Sequence, residues 1–405
     1  MKRAIFCGIL ISGLVLTNFS YAFFVGFGAS GAAEQVITGG QVQGLIPLTP
    51  GGETSPKGPG AEVVWQKVYN SGGDDKGYSI VFDSSGNVYV TGNSHNGSNY
   101  DYLTIKYDAS GNTVWQKTWD NGNDDYGRGV TVDNTGNVYV AGMSDSYCLI
   151  IKYNPSGDTV WQKRYDSGST YYGYAIVVDD TSNVYVTGYS NNGVSWEYLT
   201  IKCNSNGDTV WQKRFDDALA YGIAIDDTCN VYVTGFVANG PNDDYLTIKY
   251  NSSGGVVWRK RYDSGKDDRG YGIAFDSSGN VYVVGCSDNG ANFDILAIKY
   301  NSNGDTVWKK RYDDGKDDRG YGIAFDSSGN VYVVGCSDNG TNFDILAIKY
   351  NSNADVVWQK TYDSGRDDFG FGIAVDSSGN VYVSGYSYSG GIDYYDYLTI
   401  KYRQY

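Results

Sequence analysis

Aspartates in adjacent pairs, each set between glycines, are the residues in this chain with the most chemistry to offer. The pattern x-Gly-x-Asp-Asp-x-Gly places them at Asp74-Asp75, Asp124-Asp125, Asp267-Asp268, Asp317-Asp318 and Asp367-Asp368. Carboxylate oxygens ligate hard cations, so these ten side chains are candidate calcium ligands. Their spacing does not match the twelve-residue EF-hand loop, and a solvated Asp-Gly turn explains the same pattern without a metal. A second set couples carboxylates to aromatic rings: Tyr100 with Asp101, Trp196 with Glu197, Asp244 with Tyr245, Phe293 with Asp294, Phe343 with Asp344 and Tyr395 with Asp396. Aromatic faces stack on apolar ring faces while carboxylates take hydroxyl or amide donors, which suits a glycan or a protein surface. Tyr100, Asp101, Trp196, Asp244, Tyr245, Phe293, Asp294, Phe343, Asp344, Tyr395 and Asp396 are therefore the candidate ligand-binding residues.

Catalytic patterns are harder to assemble. His95 is the single histidine, and no serine or cysteine nucleophile can be assigned to it from its surroundings in the sequence. Lysines in an Ile-Lys-Tyr-like phrase (Lys106, Lys152, Lys202, Lys249, Lys299, Lys349, Lys401) recur seven times. So do Asp83, Asp133, Asp179, Asp226, Asp276, Asp326 and Asp376. Seven equal copies answer the needs of a repeated fold, through Lys–Asp pairing or turn capping, better than those of one active site.

The elements that must position these residues are set by seven tryptophans: Trp65, Trp115, Trp161, Trp211, Trp258, Trp308 and Trp358. A period near 50 made of β-branched and aromatic runs between Gly, Asn and Asp turns predicts four antiparallel strands per unit, the make-up of a propeller blade. In the unit Gly320 to Asp363 the strands a to d are Tyr321 to Asp326, Val331 to Cys336, Asp344 to Tyr350 and Val356 to Tyr362. The array opens on an orphan strand d, Val63 to Tyr69, and ends on an a, b, c set, Phe371 to Tyr402. Together they predict a seventh blade that closes a ring and removes two free sheet edges. The expected fold class is all-β, a seven-bladed propeller over residues 61–405. In a propeller the d–a and b–c loops share one face, so both acidic sets belong there. Bulky and small residues alternate along strand a; blade 2 departs by placing Arg128 at the first bulky position.

The ends and the charge bound the setting. Lys2 and Arg3, an apolar run from Ala4 to Leu16 and Ser20-Tyr21-Ala22 read as a signal peptide over residues 1–22, too short in its apolar part to span a bilayer. Residues 23–60 read as a flexible Gly/Pro-rich leader. The chain is expected to be secreted, periplasmic or at the cell surface. Its formal charge is −15, or −17 without the two basic residues of the signal, which argues against nucleic acid as a partner. Five cysteines would remain, an odd number without a disulfide framework; Cys203 with Cys229 is the one pair whose placement invites a check.

The phrase Asp-Ser-Ser-Gly-Asn-Val-Tyr-Val-x-Gly, followed by Ile-Lys-Tyr-(x)-Ser-x-Gly-x-x-x-Trp, resembles the bacterial β-propeller repeat family called SBBP, and its Gly-Asn-Val-Tyr-Val strand is similar to NHL-type propellers. The resemblance spans Ala61 to Tyr402. It implies a secreted or surface propeller and no single reaction. The Gly-x-x-x-Trp step also resembles the tryptophan motif that holds quinoprotein propeller blades together, and the c–d turn is similar to the sialidase Asp-box without its central Asp. Streptogramin-lyase propellers, which use loop histidines, are a further comparison for His95. The reading is an exported, non-enzymatic recognition or scaffold module with a glycan or extracellular protein partner, no required cofactor, and calcium as the candidate ion. Two alternatives stand beside it: a lyase or glycan hydrolase using aspartates at the channel mouth, and a purely structural envelope repeat protein. Hydrolysis would require two carboxyls ~5–9.5 Å apart across a pocket.

Overall fold

The computed structural model describes the backbone of 36–38 and 41–43, then residues 60–165, 170–276, 278–388 and 394–405. The signal expected over 1–22 and most of the leader lie outside the described residues; within the leader, Val36–Thr38 pairs antiparallel with Gln41–Gln43. From Ala61 onward the chain forms seven four-stranded antiparallel sheets. Blade 1 consists of Asp75–Phe82 (a), Val88–His95 (b), Tyr100–Tyr107 (c) and Thr113–Trp119 (d). Blades 2 to 6 repeat it, with strands a at Asp125–Val132, Tyr171–Val178, Ala218–Ile225, Asp268–Phe275 and Asp318–Phe325. No helix among the described residues is long and apolar enough to cross a membrane.

Closure occurs as the split repeat requires. Strand d of blade 7 is Ala61–Tyr69, paired antiparallel with Tyr395–Gln404 in a sheet that also holds Asp368–Val375 and Val381–Tyr388. The outer side of Tyr395–Gln404 is thereby paired, and its backbone groups are not left as an extra free edge. The apolar cores sit between blades: Tyr139 and Ala141 of blade 2 pack with Val184 and Val186 of blade 3, and Tyr332 and Val334 of blade 6 with Val381 and Val383 of blade 7.

The tryptophans tie neighbouring blades. The indole N–H of Trp115 donates to the Pro155 carbonyl of blade 2 at 3.2 Å, and Trp161, Trp211 and Trp258 donate to Ser205, Ser252 and Ser302 in the same way. The glycine of the receiving turn lies on the ring. Gly157 has a φ of +84°, and a Cβ there would stand 3.0 Å from Trp115 Cδ2. Trp358 instead donates to Gln404 Oε1, because blade 7 takes its strand d from Ala61–Tyr69 and so has no c–d turn.

Turn capping accounts for the repeated aspartates. Asp83 Oδ1 accepts the N–H groups of Ser85 and Asn87, and Oδ2 accepts Asn87 Nδ2 and Tyr89 Oη. The repeated lysine lies over that same tyrosine, with Lys106 Nζ 5.1 Å from the Tyr89 centroid, a cation–π contact found again in the other six blades. Of the seven expected Lys–Asp pairs one is a direct ion pair, Lys299 with Asp276 at 3.9 Å. Cys203 and Cys229 are both free thiols, as are Cys148, Cys286 and Cys336.

Strand a departs from simple alternation. In every blade its register against strand b slips by one residue, at Tyr78, Arg128, Tyr174, Tyr221, Tyr271, Tyr321 and Phe371. A β-bulge re-aims the side chain of the inserted residue, and these seven line the axial cavity. Strand b meets the bulge with a glycine. A Cβ on Gly92 would fall 1.8 Å from the Lys76 carbonyl oxygen, which no side chain permits.

Candidate functional site

The two aspartates of each pair do different work. The first staples its blade to the preceding one: Asp74, Asp124, Asp317 and Asp367 each accept, through Oδ1, the backbone N–H of Tyr395, Tyr100, Phe293 and Phe343 at 2.9–3.0 Å, and Asp267 accepts that of Asp243 at 3.1 Å. The second is fully buried at the start of strand a, where it accepts a backbone N–H of its own loop, as Asp75 does from Ser71, Asp268 from Ser264 and Asp368 from Ser364. Burial lifts these acids above the ordinary carboxylate range; serine and loop N–H donors oppose it and leave Asp125 at about 6 and Asp318 at about 7. Blade 4 solves the same packing problem without charge, pairing Ala218 with Val237 where blade 5 pairs Asp268 with Ser287.

Hence the members of a pair are not joint ligands around one point. The carboxylates that do converge come from three elements. Asp101, Asp120 and Asp125 have oxygens within 4.8 Å of one another, as do Asp244, Asp263, Asp268 and Asp344, Asp363, Asp368. Each triplet joins a strand c residue, the residue after strand d and the first residue of the next strand a. In the Asp244 triplet Arg261 pairs with Asp244 and Asp263. The residue facing the other two from strand d is Thr118 or Thr361, so these are the places that could hold a hard cation.

The strand c carboxylates Asp101, Asp244, Asp294, Asp344 and Asp396 are all buried. Several are neutralised within the fold: Arg311 pairs with Asp294, Arg214 with Glu197 at 2.6 Å, and Asn96 donates to both oxygens of Asp101. Their aromatic neighbours remain accessible: Tyr100, Phe293, Phe343 and Tyr395 are half-buried and Trp196 is 37% exposed. Tyr245 differs. It is 1% exposed, its hydroxyl donates to the Leu296 carbonyl, and it matches the core residue Tyr102; Asp243 occupies the rim position of blade 4. The rim rings touch in series, Phe343 with Phe369 at 5.5 Å, Tyr100 with Tyr126 at 5.3 Å and Tyr172 with Trp196 at 5.9 Å between centroids. His95 lies edge-on to Tyr100, and its Nδ1 accepts the Gly97 N–H.

Two cavities occupy the channel. The axial one, ≈ 410 Å³, is ringed by the seven bulge residues; the second, ≈ 460 Å³, opens toward the d–a loops of blades 1 to 3 and shares Tyr78, Arg128 and Tyr174 with it. No carboxylate lines either cavity among the described residues, so the converging acids of a glycoside hydrolase are not found there. The polar groups that do line the second cavity, Lys76 and Asn93 beside Arg128, were not candidates from motif reading. Comparing blades column by column exposes them: Asn93 stands where the other blades carry Met143, Tyr189, Phe236, Cys286, Cys336 and Tyr386.

Seven closed four-stranded blades with inter-blade indole ties define a β-propeller. Residues 70–101, 120–147, 257–294, 313–344 and 363–393 match the family described as SBBP, Beta-propeller repeat, so these five segments are repeats of that type. Among curated proteins no relative matches it. Solved propellers share its fold at low identity. Sqt1 from Chaetomium thermophilum is 11% identical, with a TM-score of 0.51 over 85% of this chain and 99% of that one. The same protein bound to the N-terminus of the ribosomal protein L10 is 13% identical, with a TM-score of 0.50 over 82% and 98%. The Pan2 WD40 domain of Neurospora crassa is 10% identical, with a TM-score of 0.52 over 82% and 89%.

Proposed function

We propose that this is an exported, non-enzymatic recognition propeller that takes a glycan or an extracellular protein on the face carrying its d–a and b–c loops. The carrying observation is the division of labour on that face. The first aspartate of each pair staples blades together and the buried carboxylates are bonded within their own blade, while the rings beside them (Tyr100, Trp196, Phe343, Tyr395) stay accessible. Rigid aromatic rims on a closed scaffold bind with little ordering cost, because the loops are already fixed by hydrogen bonds. A propeller of the same fold, Sqt1, is known bound to a segment of a ribosomal protein, so the architecture is compatible with holding a peptide.

The test compares the full chain with a triple variant, Trp196→Ser, Phe343→Ser and Tyr395→Ser, on a glycan array and in co-purification from the source envelope fraction. A ligand captured by the parent and lost by the variant is the expected result. A ligand retained undiminished by the variant, or none on either platform, overturns the reading.

A further inference from the structure

Two polar residues, Arg128 and Asn93, break the sevenfold repeat, and with Lys76 they line the same ≈ 460 Å³ cavity. Arg128 replaces the aromatic ring that the other six blades place at the bulge. Its guanidinium lies 4.1, 5.4 and 5.6 Å from the centroids of Tyr78, Tyr174 and Tyr126. Its electrostatic neighbours are tyrosines, and no carboxylate of the described residues pairs with it. Lys76, which lines the same cavity, has one distant ionic partner, Asp74 at 3.9 Å, and lies over the rings of Tyr395 and Tyr386. By contrast Arg269, in the column of Lys76, is engaged by Asp243 and Asp267. The third residue is Asn93, 1% exposed, with neither Oδ1 nor Nδ2 hydrogen-bonded.

A buried carboxamide without partners costs stability, and a half-buried guanidinium without a counter-ion adds to that cost. Both are placed where the same sequence, in its other blades, uses Tyr, Phe, Cys or Met. The cost is local to one cavity whose volume suits a small ligand. We propose that this cavity is a binding site for a carboxylate-bearing, hydroxylated ring of monosaccharide size, the chemistry of a hexuronic acid, either free or as the terminal residue of a chain. Arg128 offers the planar, bidentate donor pair a carboxylate prefers, and Lys76 adds a second positive charge. Asn93 supplies one donor and one acceptor for ring hydroxyls, and Tyr126 and Tyr172 supply flat faces for the ring's C–H bonds. Two cations in one pocket also attract an anion that the rest of this acidic chain repels.

This deepens the glycan arm of the recognition reading and rests on it; the two fail separately, because one is carried by the rim rings and the other by channel residues. Calorimetry of the full chain with D-glucuronate, D-galacturonate and a galacturonate trimer, against D-glucose, tests it. The variants Arg128→Tyr and Asn93→Cys restore residues that other blades already carry, so both should fold. A uronate should bind the parent, with D-glucose weaker and each variant weakened about tenfold or more, the scale of a lost charge-assisted or buried hydrogen bond. Without ligand Asn93→Cys should melt higher than the parent, since it removes a buried polar group that has no partner. Tighter binding of the trimer assigns a chain end as the source, and equal binding assigns the free acid; either sustains the site. Equal binding of D-glucose and D-glucuronate, undiminished binding by Arg128→Tyr, or no heat with any uronate overturns it.

Discussion

At the scale of single residues, the chain uses one side-chain type for opposite electrostatic ends. Asp83 and its six counterparts sit in turns rich in donors; burial raises the carboxyl of Asp83, but Asn87 and Tyr89 outweigh it and hold it below its ordinary value. Asp125 and Asp318 begin strand a with fewer donors, and burial holds them near 6 and 7. For these raised acids the folded protein keeps protons that the unfolded chain has released. Their stabilising contribution is complete below the ordinary carboxylate value and is lost as pH rises through about 6 for Asp125 and about 7 for Asp318. Asp83, Asp133, Asp179, Asp226, Asp276 and Asp326 work in the other sense, and their contribution fades as pH falls below the ordinary value. The melting temperature should therefore rise on going from pH 8 to about 5 and fall again in stronger acid. Asp318→Asn mimics the protonated acid, so it should melt higher than the parent at pH 8 and equally at pH 5. A parent melting curve flat between those values would remove the premise. That aspartates are structural in every blade was legible in the sequence. Which aspartate is buried was not, since neighbouring residues of one motif point to different elements.

At the scale of the strand, the seven blades act as an internal experiment. The period, the four strands and the turns all follow from β-branched runs and Gly/Asn punctuation, and the structure has them. The bulge escapes such reading, because Gly-Tyr-Gly at the start of strand a satisfies ordinary alternation equally well. Only pairing with strand b shows the extra residue. The same comparison of blades narrows the calcium proposal. On strand d, three residues after the tryptophan, blades 3 to 5 carry Arg214, Arg261 and Arg311, each paired with a strand c carboxylate. Blades 1 and 6 carry exposed Thr118 and Thr361 beside the Asp101 and Asp344 triplets. A guanidinium and a metal ion answer the same repulsion, so calcium is expected at the two arginine-free aspartate triplets. Millimolar calcium should raise the melting temperature of the parent, as any ligand of the native state must. The double variant Thr118→Arg, Thr361→Arg should lose that response and melt higher than the metal-free parent. A calcium shift that survives both arginines would place the ion elsewhere.

At the scale of the whole molecule, stability depends on a contact between the two ends of the array. Ala61–Tyr69 completes the last sheet, and Trp65 of that strand lies against Gly111 of blade 1, so the strand serves both the seventh blade and its neighbour. A ring in which every blade has two neighbours has no terminal blade from which to fray, in contrast to an open repeat array whose ends unfold first. Deleting residues 61–69 exposes the outer edge of Tyr395–Gln404 and uncovers the apolar face between blades 7 and 1. The melting temperature should fall on the order of 10 °C, and the single transition should broaden as the end blades open independently. A milder lesion isolates packing from edge exposure: Trp65→Ala keeps the strand but empties a buried site, a change that typically costs about 3–5 kcal/mol. Amide exchange followed by mass spectrometry would locate the damage. Faster exchange confined to blades 7 and 1 in both variants is the expected pattern; exchange unchanged there, with cooperative melting intact in the deletion, would mean that the ring does not depend on its closing strand.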